Sequence, residues 1–317
     1  MAVQFAVLAS GSRGNSTYIG GPGAGLLIDI GLSTRALDGR LKAVGASWSM
    51  IGAVLLTHTH SDHIDPAPLA EMARRGISLH CHSGHQEALA DHPGFQELER
   101  AGRVHVYDDE PFLTTTAARV DPIRLSHDGG PTYGFHIEVC PARRGPAARI
   151  GYLADTGRWS ELMVDRLVDV DLLAVEFNHD AEMQRSAPRP AHLIARNLGD
   201  RGHLSNNQAG ELVRRVVARS RPDRPRDLVL LHLSEQCNTP ELALEAARSA
   251  AGEGRHVHAA RQGEPHPRLM VEPRRSTPSR PRSSTHARPR RPRSPALAMG
   301  SLFDQDSPLD PTPVETS

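Results

Sequence analysis

A chain of 317 residues, 38% of them hydrophobic, is long enough for one large domain or two small ones and can build a substantial core. Its 37 basic and 37 acidic side chains cancel, and no apolar run approaches the roughly 20 residues that span a bilayer. Met1-Ala2-Val3-Gln4-Phe5 also lacks the basic start of a signal peptide, so the expectation is a soluble, cytoplasmic protein with no membrane partner.

The first predicted element is a strand over Val3-Gln4-Phe5-Ala6-Val7-Leu8-Ala9. A turn at Gly11-Ser12-Arg13-Gly14-Asn15 then leads to its partner over residues 16–19. Leu26-Leu27-Ile28-Asp29-Ile30 predicts a third, buried strand. Ser33 can cap a helix carrying Leu37, Leu41 and Val44 on one face. Ile51-Gly52-Ala53-Val54-Leu55-Leu56 is short and continuously apolar, the pattern of a strand covered on both faces. A helix over 66–75, a strand over 77–82 and a helix over 85–91 follow. Further strands are predicted near 104–107, 119–125, 134–139, 149–154, 171–175 and 228–231. Helices fit between the later strands, with Ser205 capping residues 206–218 and Thr239 capping 240–251. From about Pro273 the pattern gives way to Arg, Pro and Ser, which predicts a disordered tail over 273–317 behind a folded domain over 1–265. That tail holds 8 Arg against 4 acidic residues, which leaves 29 basic against 33 acidic side chains in residues 1–272. The folded part is therefore slightly acidic, which argues against a broadly basic surface coating nucleic acid.

Thr57-His58-Thr59-His60-Ser61-Asp62-His63 ends the apolar run 51–56 with three histidines and a carboxylate. In an extended chain alternate residues share a face, so His58 and His60 can grip one ion while Asp62 and His63 turn toward a second. The cysteines Cys81, Cys140 and Cys237 are widely spaced and contain no CxxC pair, so metal chemistry falls to His and Asp. Later strand ends offer more: His127, Asp155 and His232 each follow a predicted strand, although each alone also reads as a loop or turn residue. Asp29 reads either as a carboxylate steadying a metal-bound histidine or as a strand-end turn. His80, Cys81, His82 and His85 straddle both faces of one short strand and are read as surface or packing residues.

With this HxHxDH motif the chain resembles the metallo-β-lactamase superfamily. The resemblance implies an α/β fold, the four-layer αββα metallo-β-lactamase sandwich. It assigns His58, His60 and His127 to one metal, Asp62, His63 and His232 to a second, and Asp155 to both. It further implies two divalent ions, zinc or manganese, with a bridging hydroxide for hydrolysis. Most of residues 1–260 is similar to the YycJ/WalJ-like branch, regarded as DNA exonucleases. The phrases that carry this are Leu8-Ala9-Ser10-Gly11-Ser12 with Gly14-Asn15-Ser16, Leu27-Ile28-Asp29-Ile30-Gly31, Ser126-His127-Asp128, Glu176-Phe177-Asn178-His179-Asp180, Gly202-His203-Leu204-Ser205-Asn206 and His232-Leu233-Ser234-Glu235-Gln236-Cys237-Asn238.

That branch implies a nucleic-acid substrate, with Asp62 and His203 as catalytic residues. His203 would protonate the leaving oxygen, its alternative being a loop histidine before a helix cap. His179 either lines the cleft or bonds a neighbouring loop. His60 stands where oxygen-reducing di-iron relatives carry Glu, which disfavours redox chemistry. Asp65-Pro66, where many relatives place glycine, and Cys237 depart from the pattern. Two alternatives to a DNA exonuclease remain: a phosphodiesterase or thioesterase acting on a small molecule, and an interaction protein working through its Arg-rich tail. Met299-Gly300-Ser301-Leu302-Phe303 resembles peptides that dock on bacterial sliding clamps, although the usual glutamine is missing.

Overall fold

Apolar runs without polar alternation need cover on both faces of a strand. The structure, a computed structural model, describes residues 2–21, 23–140 and 146–273 and supplies that cover with two sheets and flanking helices. The strands in chain order are β1 (Val3–Ala9), β2 (Ser16–Gly20), β3 (Gly25–Ile28), β4 (Ile51–Leu55), β5 (Ser78–His82), β6 (Val104–Tyr107) and β7 (Phe112–Leu113). They continue with β8 (Arg119–Arg124), β9 (Tyr133–Val139), β10 (Ala148–Leu153), β11 (Leu172–Glu176), β12 (Asp227–Leu231), β13 (His256–Ala259) and β14 (Leu269–Val271). One sheet has the order β14-β1-β2-β3-β4-β5-β6 and the other β13-β12-β11-β10-β9-β8-β7.

Each sheet joins an antiparallel half to a parallel half. β14 through β3 pair antiparallel and β3 through β6 parallel, while β7 through β10 pair antiparallel and β10 through β13 parallel. In consequence β4, β8, β10, β11 and β12 end at the carboxyl edges of their sheets, where open α/β sheets place ligands.

Side-chain alternation decides the layers. In β12, Val229 and Leu231 face the opposite sheet while Leu228 and Leu230 face helices. In β4, Ala53 and Leu55 point between the sheets while Val54 packs under helices. The helices are α1 (Thr34–Ala43), α2 (Ala67–Arg75), α3 (Gln86–Leu89), α4 (Pro93–Arg100), α5 (Glu161–Leu167), α6 (Ala181–Ser186), α7 (Ala191–Leu198), α8 (Asn206–Arg219) and α9 (Pro240–Ala251). Leu37, Leu41, Leu69, Met72, Phe95 and Leu98 seal the first sheet, and Val164, Leu212, Val216 and Ala247 seal the second. The architecture is the four-layer αββα sandwich. None of the described helices is long and apolar enough to cross a membrane.

The predicted caps hold: Ser33 accepts from Ala36, Ser205 forms a capping box with Gln208, and Thr239 accepts from Leu242. The helix expected over 85–91 shrinks to α3, and α4 starts separately at Pro93, a residue suited to a first helical turn. β14 pairs with β1 beyond residue 265. The Arg-rich tail from 274 onward and the Leu302-Phe303 pair lie outside the described residues.

Phe135 on β9 is fully buried between the sheets. Phe135→Ala should therefore cost about 3 to 5 kcal/mol in urea unfolding. A midpoint equal to the wild type would contradict this placement of the core.

Candidate metal centre

The motif loop is clamped by backbone before any ligand is considered. Asn15 N donates to Asp62 O at 2.6 Å, Ile30 N to His63 O at 2.9 Å, and Asp65 N to Ile30 O at 3.0 Å. Gly31 N donates to Asn15 O, and a Cβ on Gly31 would sit 1.8 Å from Asp62 O, so only glycine allows this approach. The Gly14-Asn15-Ser16 and Asp29-Ile30-Gly31 phrases thus act as a vice on the 57–65 loop.

Asp29, fully buried, accepts from Thr57 N at 2.8 Å through Oδ1, while its Oδ2 lies 2.7 Å from His63 Nδ1. Of its two sequence readings, the steadying carboxylate fits this contact. A proton shared there leaves the His63 Nε2 lone pair facing Asp155 Oδ2 at 2.6 Å and Asp62 Oδ2 at 3.6 Å. His127 is set in the same way, with Nδ1 donating to Gly202 O at 3.0 Å. His232 N donates to Ser10 Oγ at 2.7 Å, tying the end of β12 to the end of β1.

These fixings gather the predicted residues into two adjoining groups. Ligand atoms of His58, His60 and His127 lie within 4.8 Å of one another, and so do those of Asp62, His63 and His232. Asp155 joins His58 and His63 in one group, and Glu176, His203 and His232 in another. Asp29, Asp155 and His232 all adopt left-handed backbone, at φ 61°, 59° and 52°, which turns each side chain sharply off its strand end.

The donor set fits divalent metal. His58 Nε2 and both Asp155 carboxylate oxygens are buried without a hydrogen-bond partner. His63 Nε2, His203 Nδ1 and His232 Nδ1 stand 2.6 to 3.3 Å from those oxygens, but none has hydrogen-bond alignment. Ligands aimed at a common ion look like this. Burial holds the His58 imidazole well below the usual histidine range, so it is neutral and free to coordinate. Burial opposes charge on Asp155, yet His232 and His63 hold its carboxyl well below the ordinary range. Gly129 abuts this group closely: a Cβ there would meet His58 Cδ2 and His60 Nε2 at 2.8 Å.

His203 stands at the rim, 15% exposed. Its Nδ1 is 3.1 Å from Glu176 Oε2 and 3.2 Å from Asp155 Oδ1. Burial works against its charge, but Glu176 and Asp155 outweigh it and lift the imidazole to about 10. Glu176 itself is held by Thr156 N at 2.8 Å and Leu204 N at 3.0 Å. The sequence phrase contained Glu176 without singling it out; the available signal was a lone acid closing the apolar run Leu172-Leu173-Ala174-Val175.

His179 does not join the centre. It is buried, and its backbone bridges to Ser205 and accepts from Asn206 N, anchoring the start of α8. Among the described residues His85 bonds to backbone, with Nε2 2.7 Å from Pro131 O and Nδ1 accepting from His82 N, and His80 pairs with Thr115. Both packing readings stand.

Asp29→Asn keeps the shape but replaces an acceptor oxygen facing His63 with a donor nitrogen or a neutral oxygen. Metal affinity, measured by competition with a chromogenic chelator, should fall about 10- to 100-fold. Unchanged affinity would remove Asp29 from this role.

Against known proteins, the chain matches the beta-lactamase superfamily domain over residues 25–233. It is 29% identical over 242 residues to exodeoxyribonuclease WalJ of Streptococcus pneumoniae serotype 2, covering 76% of this chain and 85% of that one. It is 29% identical over 268 residues to exodeoxyribonuclease YycJ of Bacillus anthracis, covering 81% and 95%. The crystal structure of the metallo-beta-lactamase fold protein YhfI from Bacillus subtilis superposes with a TM-score of 0.59 at 18% identity, over 84% of this chain and 99% of that one. With two seven-stranded sheets between helices and His/Asp groups at their carboxyl edges, the chain belongs to the beta-lactamase superfamily and has its metallo-β-lactamase fold.

Proposed function

We propose that this protein is a metal-dependent phosphodiesterase that removes nucleotides from DNA ends. The observation that carries the reading is the junction of two His/Asp groups at Asp155, with the His203–Glu176 pair beside it. The similarity to two exodeoxyribonucleases supports DNA as the substrate. His58, His60 and His127 would hold one divalent ion, Asp62, His63 and His232 the other, and Asp155 would serve both. When bound, zinc or manganese supplies a water that ionises near neutral pH and positive charge for the phosphoryl oxygens.

The chain's own residues do the rest. Asp29, Thr57 and Gly202 fix ring orientation, so the ligands need no rearrangement when substrate arrives. Water adds to phosphorus, the P–O ester bond breaks, and the departing alkoxide needs a proton. Asp155 and Glu176 face Nδ1 of His203, so the proton for the alkoxide would come from Nε2, and Glu176 keeps that imidazole both oriented and charged. Asp62 is the second catalytic residue of this reading. It accepts from Asn15 Nδ2 at 3.2 Å, and His232 and His63 outweigh burial in keeping it ionised, so it would face the metal as an anion and accept a hydrogen bond from the attacking water.

Metal-loaded protein should release mononucleotides from end-labelled DNA, and His58→Ala or Asp155→Ala should abolish release. His203→Gln should lower kcat on DNA by about 10²- to 10⁴-fold. The same variant should barely affect bis(p-nitrophenyl) phosphate, whose leaving group departs without a proton. Equal losses on both substrates would refute the acid role. Turnover of a small cyclic phosphodiester or thioester with none on DNA or RNA would refute the substrate.

A further inference from the structure

Beside the candidate centre lies an open cleft of about 660 Å³, and His127 forms part of its wall. Three arginines line it, Arg124, Arg158 and Arg201, together with Ser126 and Ser160, and among the described residues no carboxylate does. In a folded region whose acidic residues slightly outnumber its basic ones, such one-signed lining is a local departure.

The arginines are free to take a ligand. Among the described residues Arg201 has no ion-pair partner, and Arg158 reaches only Asp200 at 3.6 Å, with both side chains more than half exposed. Arg124 is held by a neutral group, donating to Tyr133 Oη at 3.1 Å. Their positions are tied to the reaction centre by the chain itself. Ser126 precedes His127, Arg158 follows Asp155 by three residues, and Arg201 precedes His203 by two. The loops are also braced: Gly157 N donates to Ser126 O at 2.9 Å, and Thr156 Oγ1 donates to Arg158 O at 2.7 Å. The same strand-end turns therefore present site residues inward and guanidinium groups into the cleft.

Guanidinium forks match phosphate oxygens, and a volume of this size takes a nucleotide unit where a bare anion would need far less. We propose that this arginine-lined cleft binds the phosphate adjacent to the scissile one in a DNA strand, which makes the enzyme selective for polynucleotides over isolated phosphodiesters. The inference rests on the phosphodiesterase reading and deepens it, because a small cyclic diester has no second phosphate to offer.

The test compares wild type, Arg158→Ala/Arg201→Ala, and a control, Arg74→Ala/Arg248→Ala, whose arginines lie on outer helices. Binding of a fluorescent single-stranded oligodeoxynucleotide is followed by anisotropy in EDTA, and turnover is measured on the oligonucleotide and on bis(p-nitrophenyl) phosphate. The cleft variant should bind the oligonucleotide about tenfold or more weakly. Its plot of log Kd against log salt should flatten by about 0.7 for each phosphate that the missing guanidinium groups no longer neutralise. Its kcat/KM on bis(p-nitrophenyl) phosphate and the behaviour of the control should match wild type. Unchanged oligonucleotide binding, an equal loss on the small diester, or an equal loss in the control would each overturn the proposal. Arginine-dependent binding by a protein that hydrolyses no diester would instead refute the phosphodiesterase reading and leave the cleft standing.

Discussion

A carboxylate removed from water demands a compensating charge, and this protein places that demand at Asp155. The residue is 1% exposed, and neither oxygen has an aligned hydrogen-bond donor. An uncompensated buried charge costs several kcal/mol, so the fold tolerates it only beside groups that can share a proton with it or hold a cation next to it. His63, His203 and His232 surround it, and Asp29 and Glu176 stand behind two of those rings. The centre is thus an alternation of acids and imidazoles, which is the composition that divalent metal binding draws on.

The sandwich makes this concentration of polar groups tolerable by holding it at the carboxyl edges, away from the layers that do the packing. Val229, Leu231, Ala53 and Leu55 bury their side chains between the sheets, and the chain turns polar only one or two residues further on. Cross-links then unite the two sheets at that edge. Ser10 meets His232, and Thr57 O accepts from Tyr133 N, joining the motif loop of the first sheet to the second. A site built from such strand ends is positioned by the core, so its geometry is as stiff as the core is.

Much of this was legible because ligand-type residues follow apolar runs. His58, His60, Asp62, His63, His127, Asp155 and His232 each stand past the end of a predicted strand, and the structure brings them together. Glu176 was harder to see, since one acid at the end of a strand is also how strands ordinarily meet solvent. α4 lay beyond the helix expected over 85–91, although proline at Pro93 suits the first turn of a helix. β14 escaped because three residues after a polar stretch show no period; only its pairing with β1 defines it. The arginine cleft had no sequence signature at all, because Arg124, Arg158 and Arg201 are scattered among many arginines in a chain whose sole lysine is Lys42. Spatial convergence of distant residues is what folding adds to the sequence.

The central claim is that Asp155 joins two neighbouring metal positions. Titrating zinc or manganese into chelator-stripped protein, with bound metal counted after gel filtration, tests it most directly. The account predicts saturation at two ions per chain in the wild type and fewer in Asp155→Ala. Saturation at a single ion in the wild type, or an Asp155→Ala variant that still binds two with wild-type affinity, would contradict it.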